Sequence, residues 1–126
     1  MTERAVQTES ISEFAQTWNS ETFNFVSSAS KKNNTRLAYN YDIAQFKTYL
    51  DGEQVDDLRR ITPQIVKGHF NSLSIELSPA SMLRKASVIR PFLLYMIDKS
   101  YPIPRESLKA IPSVSRADIL EFRPKK

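Results

Sequence analysis

The sequence predicts an all-α fold, a compact bundle of four main helices followed by a short C-terminal helical turn. Apolar residues recur every three or four positions in four separate segments, the spacing of helix faces that pack on a core. Phe14, Trp18, Phe46 and Phe92 fall on these faces, so we expect them in the core rather than as platforms for stacked bases. No segment alternates apolar and polar residues as a strand does.

The first two helices are expected at about 10–28 and about 34–50. Ser10 followed by Glu13 has the capping-box pattern, in which two side chains satisfy amide donors at a helix start. Asn34 is the expected N-cap of the second helix, because a short polar side chain can accept from first-turn amides. A polar loop that carries two lysines joins the two helices.

The third and fourth helices each begin with a hydroxyl residue followed by proline. Thr62-Pro63 and Ser78-Pro79 combine a capping side chain with a proline in the first turn, where its missing amide does no harm. The third helix is expected to end near Ser74 and the fourth near Lys99. Pro91 lies inside the fourth helix and is expected to bend it, since proline removes one main-chain hydrogen bond.

The chain of 126 residues has the length of one domain. After the fourth helix, a short helical turn is expected around Arg105–Ala110. We divide the chain into a flexible N-terminus, residues 1–9, a folded domain, residues 10–112, and a linker or tail, residues 113–126. No internal repeat is visible.

Positive charge is concentrated in two of the predicted helices. Residues 29–50 hold four bases against one acid, and residues 78–99 again hold four against one. The segment between them, residues 51–77, holds three bases against five acids. Segregated positive charge favours a polyanionic partner, because long-range attraction depends on the local potential. An ordinary solvated surface explains the same charges equally well.

The residues that catalysis or cofactor binding requires form no recognisable pattern. Cysteine is absent, which excludes disulfides and thiolate metal sites, and two glycines cannot build a phosphate-binding loop. His69 is the single histidine, and a lone histidine on a helix is more often a structural or a surface residue than a catalytic one. The sequence therefore predicts no catalytic residue, no metal, no cofactor and no small-molecule substrate, and a chain that is not a complete enzyme.

We expect the chain to be soluble and cytoplasmic, in a bacterial or phage context or associated with the nucleoid. Its N-terminus lacks the apolar segment of a secretory signal. No window approaches the roughly 20 apolar residues that span a bilayer, so no membrane partner is expected.

Several short patterns follow one another in a distinctive order. They are Thr35-x3-Tyr39-x3-Ile43-x2-Phe46-x3-Leu50, then Ile61-Thr62-x2-Ile65, Ser78-Pro79-Ala80-Ser81-x2-Arg84, Val88-Ile89-Arg90-x-Phe92 and Pro102-Ile103-Pro104. In this order the chain resembles, over residues 10–112, the N-terminal core-binding (SAM-like) domain of tyrosine recombinases, the phage integrase superfamily. Ser81 stands where that family commonly has threonine, and Lys85 where the position is often apolar.

The resemblance implies a bundle of four or five helices that forms half of a C-shaped clamp around DNA. It also implies that the second and fourth helices cross the major groove, and these are the two helices that carry the excess positive charge. Catalysis would belong to a separate C-terminal domain, so an active site would lie beyond Lys126. The partners would then be double-stranded DNA and, in the full-length protein, other recombinase protomers.

Ten side chains are candidates for DNA contact: Lys31, Lys32, Thr35, Arg36, Asn40, Lys47, Ser81, Arg84, Lys85 and Arg90. Lysine and arginine would neutralise phosphates, and the two hydroxyl residues would donate to phosphate near helix starts. Asn40 and Arg84 suit the base edges of adenine and guanine, respectively. The hypothesis requires that Arg36 and Arg84 lie on one surface.

Two other functions fit the same sequence. One is a helical protein-interaction domain whose basic faces meet an acidic partner. The other is a free-standing DNA-binding regulator that shares the fold without a catalytic half. Salt-dependent duplex binding separates DNA binding from the first of these.

Overall fold

The computed structural model describes residues 12–112, which contain no strand. The helices of this part are α1 (Glu13–Ala29), α2 (Asn33–Gly52), a 3₁₀ turn (Leu58–Arg60), α3 (Pro63–Leu73), α4 (Pro79–Asp98) and a C-terminal 3₁₀ helix (Arg105–Ala110). The prediction of an all-α fold with four main helices is confirmed. Within the described range, no helix is both long enough and apolar enough to cross a bilayer.

The starts of α3 and α4 are as predicted. The Thr62 hydroxyl accepts the Ile65 amide at 3.4 Å, and the Ser78 hydroxyl accepts the Ser81 amide at 3.2 Å. Each cap is followed by a proline at the first helical position. α4 continues through Pro91, and the bend expected there stays a prediction.

The starts of α1 and α2 differ from the predictions. The Ser12 hydroxyl caps α1 by accepting the Ala15 amide at 3.0 Å, so the helix begins later than the Ser10 pattern indicates; Ser10 itself lies outside the described residues. α2 begins one residue before Asn34, with Lys32 at the N-cap position and no side-chain cap. Asn34 is therefore a first-turn residue, and the prediction that it caps the helix is wrong.

Trp18 is the centre of the core and is 2% exposed. Its ring lies 5.8 Å from that of Phe14, 5.9 Å from Phe46 and 5.1 Å, edge to face, from Phe92. These are ordinary centroid separations for aromatic pairs in a core. One side chain thus connects α1 with both α2 and α4, and the core assignment of the four aromatic residues is confirmed.

The segment after α4 closes the other side of the bundle. Its 3₁₀ helix packs mainly on α3, where the buried Ser107 hydroxyl donates to the Ile61 carbonyl. Arg90 of α4 donates from Nη2 to the Ile111 carbonyl at 2.8 Å. The short helical turn expected around Arg105–Ala110 is confirmed. One of these bonds comes from within the turn, at Ser107, and the other is accepted by Ile111, the residue directly after it.

A buried carboxylate joins α1 to the end of α4. Glu21 accepts from the Tyr95 hydroxyl at 2.8 Å, the Lys99 ammonium at 2.9 Å and the Tyr101 hydroxyl at 2.6 Å. Burial by itself would raise the pKa of Glu21, but the hydrogen bonds from Tyr101, Lys99, Tyr95 and Asn24 outweigh it and lower the pKa to about 2. The carboxylate therefore stays ionised and ties three elements together.

Replacing this carboxylate by an amide should destabilise the fold. In Glu21→Gln the amide group cannot satisfy all these donors, and we expect a loss of about 2 kcal/mol in the free energy of unfolding, measured by urea denaturation at pH 7. The exposed Glu76→Gln is the matched control and should change it by less than about 0.5 kcal/mol. Equal effects of the two substitutions would contradict this role for Glu21.

Candidate nucleic-acid interface

A groove runs between α2 and α4. α2 contributes Asn34, Thr35, Ala38, Tyr39 and Asp42, and α4 contributes Arg84, Ser87 and Val88. The groove therefore brings together two of the candidate residues, Thr35 and Arg84, from the two helices in which the sequence concentrates positive charge. The other eight candidates are not among its lining residues.

One lining residue of this groove, Asp42, belongs to a buried ion pair. Lys85 Nζ lies 2.7 Å from Asp42 Oδ1, and the two residues are only 8% and 4% exposed. The same ammonium lies 4.8 Å from the centroid of the Tyr41 ring. Lys85 was a candidate for DNA contact on an exposed face. That expectation needs correction, because an acid on α2 draws this side chain inward and neutralises it.

The cations at the edge of the groove are unpaired within residues 12–112. Arg84 is exposed and has no carboxylate within ion-pair distance, and the same holds for Lys31 and Lys32 at the start of α2. No side chain caps α2, so the amide groups of its first turn stay without a side-chain acceptor. The positive end of the helix dipole is at the same turn, which contributes Asn34 and Thr35 to the groove. This end of the groove is therefore well suited to an anion.

Two of the candidate arginines bind main-chain carbonyls. Arg36 donates from Nε to the Ser30 carbonyl at 2.6 Å and from Nη2 to the Ser27 carbonyl at 3.0 Å, which caps the C-terminal end of α1. Arg90 is the residue that holds the Ile111 carbonyl. Arg36 binds carbonyls at the end of α1 and is not among the residues that line the α2–α4 groove, whereas Arg84 is. That the two arginines lie on one surface, as the DNA-binding hypothesis requires, stays a prediction.

Three other candidates, Asn40, Lys47 and Ser81, are not among the residues that line the α2–α4 groove. Asn40 and Lys47 line a second groove, between α1 and α2, and Lys47 pairs with Asp51 at 2.8 Å. Ser81 accepts a hydrogen bond from the Ser78 hydroxyl at 3.2 Å as part of the α4 cap. DNA contact by these three residues stays a prediction.

His69 has the surroundings of a structural residue. It is buried, and its ring lies 4.8 Å from that of Phe46, 5.3 Å from Tyr49 and 5.1 Å from Phe70. Burial, and secondly the positive charge of Lys85, lower the pKa of His69 to about 4. The imidazole is therefore neutral at pH 7. Among the described residues, no three histidine or acidic side chains are grouped so that they could hold a metal ion.

Asp42 was not among the candidate residues, yet in the structure it forms the buried ion pair with Lys85. It appears in the charge count only as the single acid of a basic helix. The pattern that could have found it is its position three residues after Tyr39 and four before Phe46, on the side of the helix that carries the apolar residues. An acid that is buried at such a position needs a cation.

Comparison with known families agrees with this architecture. A family model described as the phage integrase N-terminal SAM-like domain matches residues 21–100. The chain belongs to this family. The parent proteins of the family are recombinases, so DNA recombination and integration are the processes to which this domain relates. No curated protein and no solved structure matches the chain.

The buried histidine should make stability depend on pH. Its pKa is lower in the folded than in the unfolded chain, so the stabilisation is present above about pH 6.5 and is lost as pH falls toward 4. Between pH 7 and pH 5 we expect the free energy of unfolding to fall by about 2 kcal/mol, as measured by urea denaturation. In His69→Phe this dependence should disappear. A wild-type protein equally stable at both values would contradict the burial of a neutral imidazole.

The buried Asp42–Lys85 ion pair gives a further prediction about stability. Asp42→Ala leaves the Lys85 ammonium buried without a partner, and we expect unfolding to become easier by about 3 kcal/mol. Asp42→Leu combined with Lys85→Met should restore most of the stability, since no buried charge remains. Asp51, an exposed residue that pairs with Lys47, supplies the control, because Asp51→Ala should cost less than about 0.5 kcal/mol. A double variant no more stable than Asp42→Ala would show that the pair is not the cause.

Proposed function

We propose that this domain binds duplex DNA as the DNA-binding module of a site-specific tyrosine recombinase, with α2 and α4 on the DNA as half of a clamp. The observation that carries the proposal is the α2–α4 groove, whose lining includes both Thr35 and the exposed Arg84, for which no ion pair is found in the described part of the chain. Family membership supports the class of parent protein, and the groove supports α2 and α4 as the helices that contact DNA.

The start of α2 suits the phosphate backbone. Lys31 and Lys32 are exposed and unpaired in the described part of the chain, so their ammonium groups can replace the counterions that surround DNA. Thr35, half-buried in the groove, can donate its hydroxyl to a phosphate oxygen next to the uncapped amides of the first turn. These contacts fix position without reading sequence.

Arg84 is suited to a more specific role. Its guanidinium makes no ion pair within residues 12–112, and the residue is exposed and lines the groove. Arginine can donate two parallel hydrogen bonds to the major-groove edge of guanine. The neighbouring acid Asp42 does not oppose this, because Lys85 neutralises it.

An acidic protein is the competing partner for the same cations. It offers carboxylates in place of phosphates and would not prefer the regular spacing of a duplex. Binding of an acidic polypeptide with at least the affinity of a duplex of equal charge would favour that alternative. A free-standing regulator would bind DNA through the same surface, and an isolated domain of nanomolar affinity would favour it.

The proposal predicts that duplex binding depends on Arg84. We expect the domain to bind a duplex in the micromolar range or more weakly, with log affinity falling steeply with log salt. Arg84→Ala should weaken binding by about ten-fold or more, measured by fluorescence anisotropy over a salt series. Lys31→Ala with Lys32→Ala should reduce the salt slope by about 2.

Arg59→Ala is the matched control, because it removes the same charge from an exposed arginine that pairs with Asp57 outside the groove. It should change duplex affinity by less than about two-fold. Equal losses for Arg59→Ala and Arg84→Ala would mean that net charge alone binds DNA. Absence of duplex binding at about 50 mM salt would overturn the proposal.

A further inference from the structure

The exposed side of α2 carries two large apolar side chains. Leu37 is 67% exposed and Tyr41 is 62% exposed. They stand four residues apart and are therefore neighbours on the helix surface. Leu37 follows the groove residue Asn34 by three positions, and Tyr41 follows Ala38 by three. The pair, here called the Leu37–Tyr41 stripe, therefore runs along the α2 edge of the α2–α4 groove.

Tyr41 is held at this edge by the partner helix. The Lys85 ammonium lies 4.8 Å from the centre of its ring while also bound to Asp42. A cation at this distance is attracted by the ring face. Tyr41 is therefore held beside α4, and Leu37 lies next to it on the same helix.

The charges around the stripe select its occupant. Lys31 and Lys32 lie one to two turns before Leu37, and Arg84 lies across the groove, all without ion-pair partners in the described region. An apolar protein surface would leave these charges uncompensated. A duplex satisfies both requirements, because phosphates flank a major groove in which the C5-methyl group of thymine is the apolar feature.

We infer that the Leu37–Tyr41 stripe reads sequence by contacting thymine methyl groups in the major groove. This inference rests on the proposed duplex binding, and it adds a preference for thymine to the guanine contact proposed for Arg84. Leu37 and Tyr41 are neutral, so they contribute no counterion release and should affect base preference without affecting the salt slope.

The test compares thymine with deoxyuridine, which lacks only the methyl group. Duplexes that the full chain retains from a pool with a randomised centre are sequenced, and the preferred one is made with either base. Deoxyuridine should weaken wild-type binding by about four-fold per contacted methyl group. Leu37→Ala and Tyr41→Ala should bring this ratio toward one at an unchanged salt slope. Tyr41→Phe keeps the ring and should retain the ratio.

Phe23→Ala is the matched control, because Phe23 is an equally exposed apolar residue, at 70%, that borders the α1–α2 groove instead. It should leave the ratio at the wild-type value. A ratio of one for wild type, or one that the stripe substitutions leave unchanged, overturns the inference, while salt-dependent binding would still support the proposed function. Stripe variants that change the oligomeric mass with an unchanged ratio would assign the stripe to a protein contact. Absence of all duplex binding overturns both proposals.

Discussion

The buried contact between Lys85 and Asp42 is the constraint on which the arrangement of α2 and α4 depends. Two charges removed from water are tolerated only when they meet at close range, and here they meet at 2.7 Å. That requirement fixes the register of one helix against the other. The same Lys85 ammonium lies 4.8 Å from the centre of the Tyr41 ring, and Asp42 lines the groove together with Thr35 and Arg84.

Two groups of cations in the described range differ in what they bind. In the first group, Lys85 and Lys99 bind the buried carboxylates of Asp42 and Glu21, while Arg36 and Arg90 bind main-chain carbonyls. These bonds stabilise helix ends and connect elements that are distant in sequence. The second group is exposed and unpaired within residues 12–112, and it includes Lys31, Lys32 and Arg84. Only this second group is available to a partner without disturbing the fold.

Membership of the integrase SAM-like family and the geometry of the groove answer different questions. The family relates the chain to recombinases. The groove shows which of the ten candidates lie together, and these are Thr35 and Arg84. The neutral stripe beside that set offers a way to recognise sequence that net charge cannot supply.

The sequence by itself determined the helices, their main boundaries, and the core. Apolar spacing is a local property, and a hydroxyl residue before proline starts a helix whatever surrounds it, as Thr62 and Ser78 show. The same local reasoning favoured a structural or surface role for His69 over a catalytic one and placed Trp18 in the core. Only the tertiary structure decided which charges reach the surface. Lys85 and Arg84 are adjacent in sequence, yet one is buried on an acid from α2 and the other is exposed. The physical reason is that the fate of a charge depends on the groups that distant elements bring within a few ångströms of it, and no spacing along one helix contains that information.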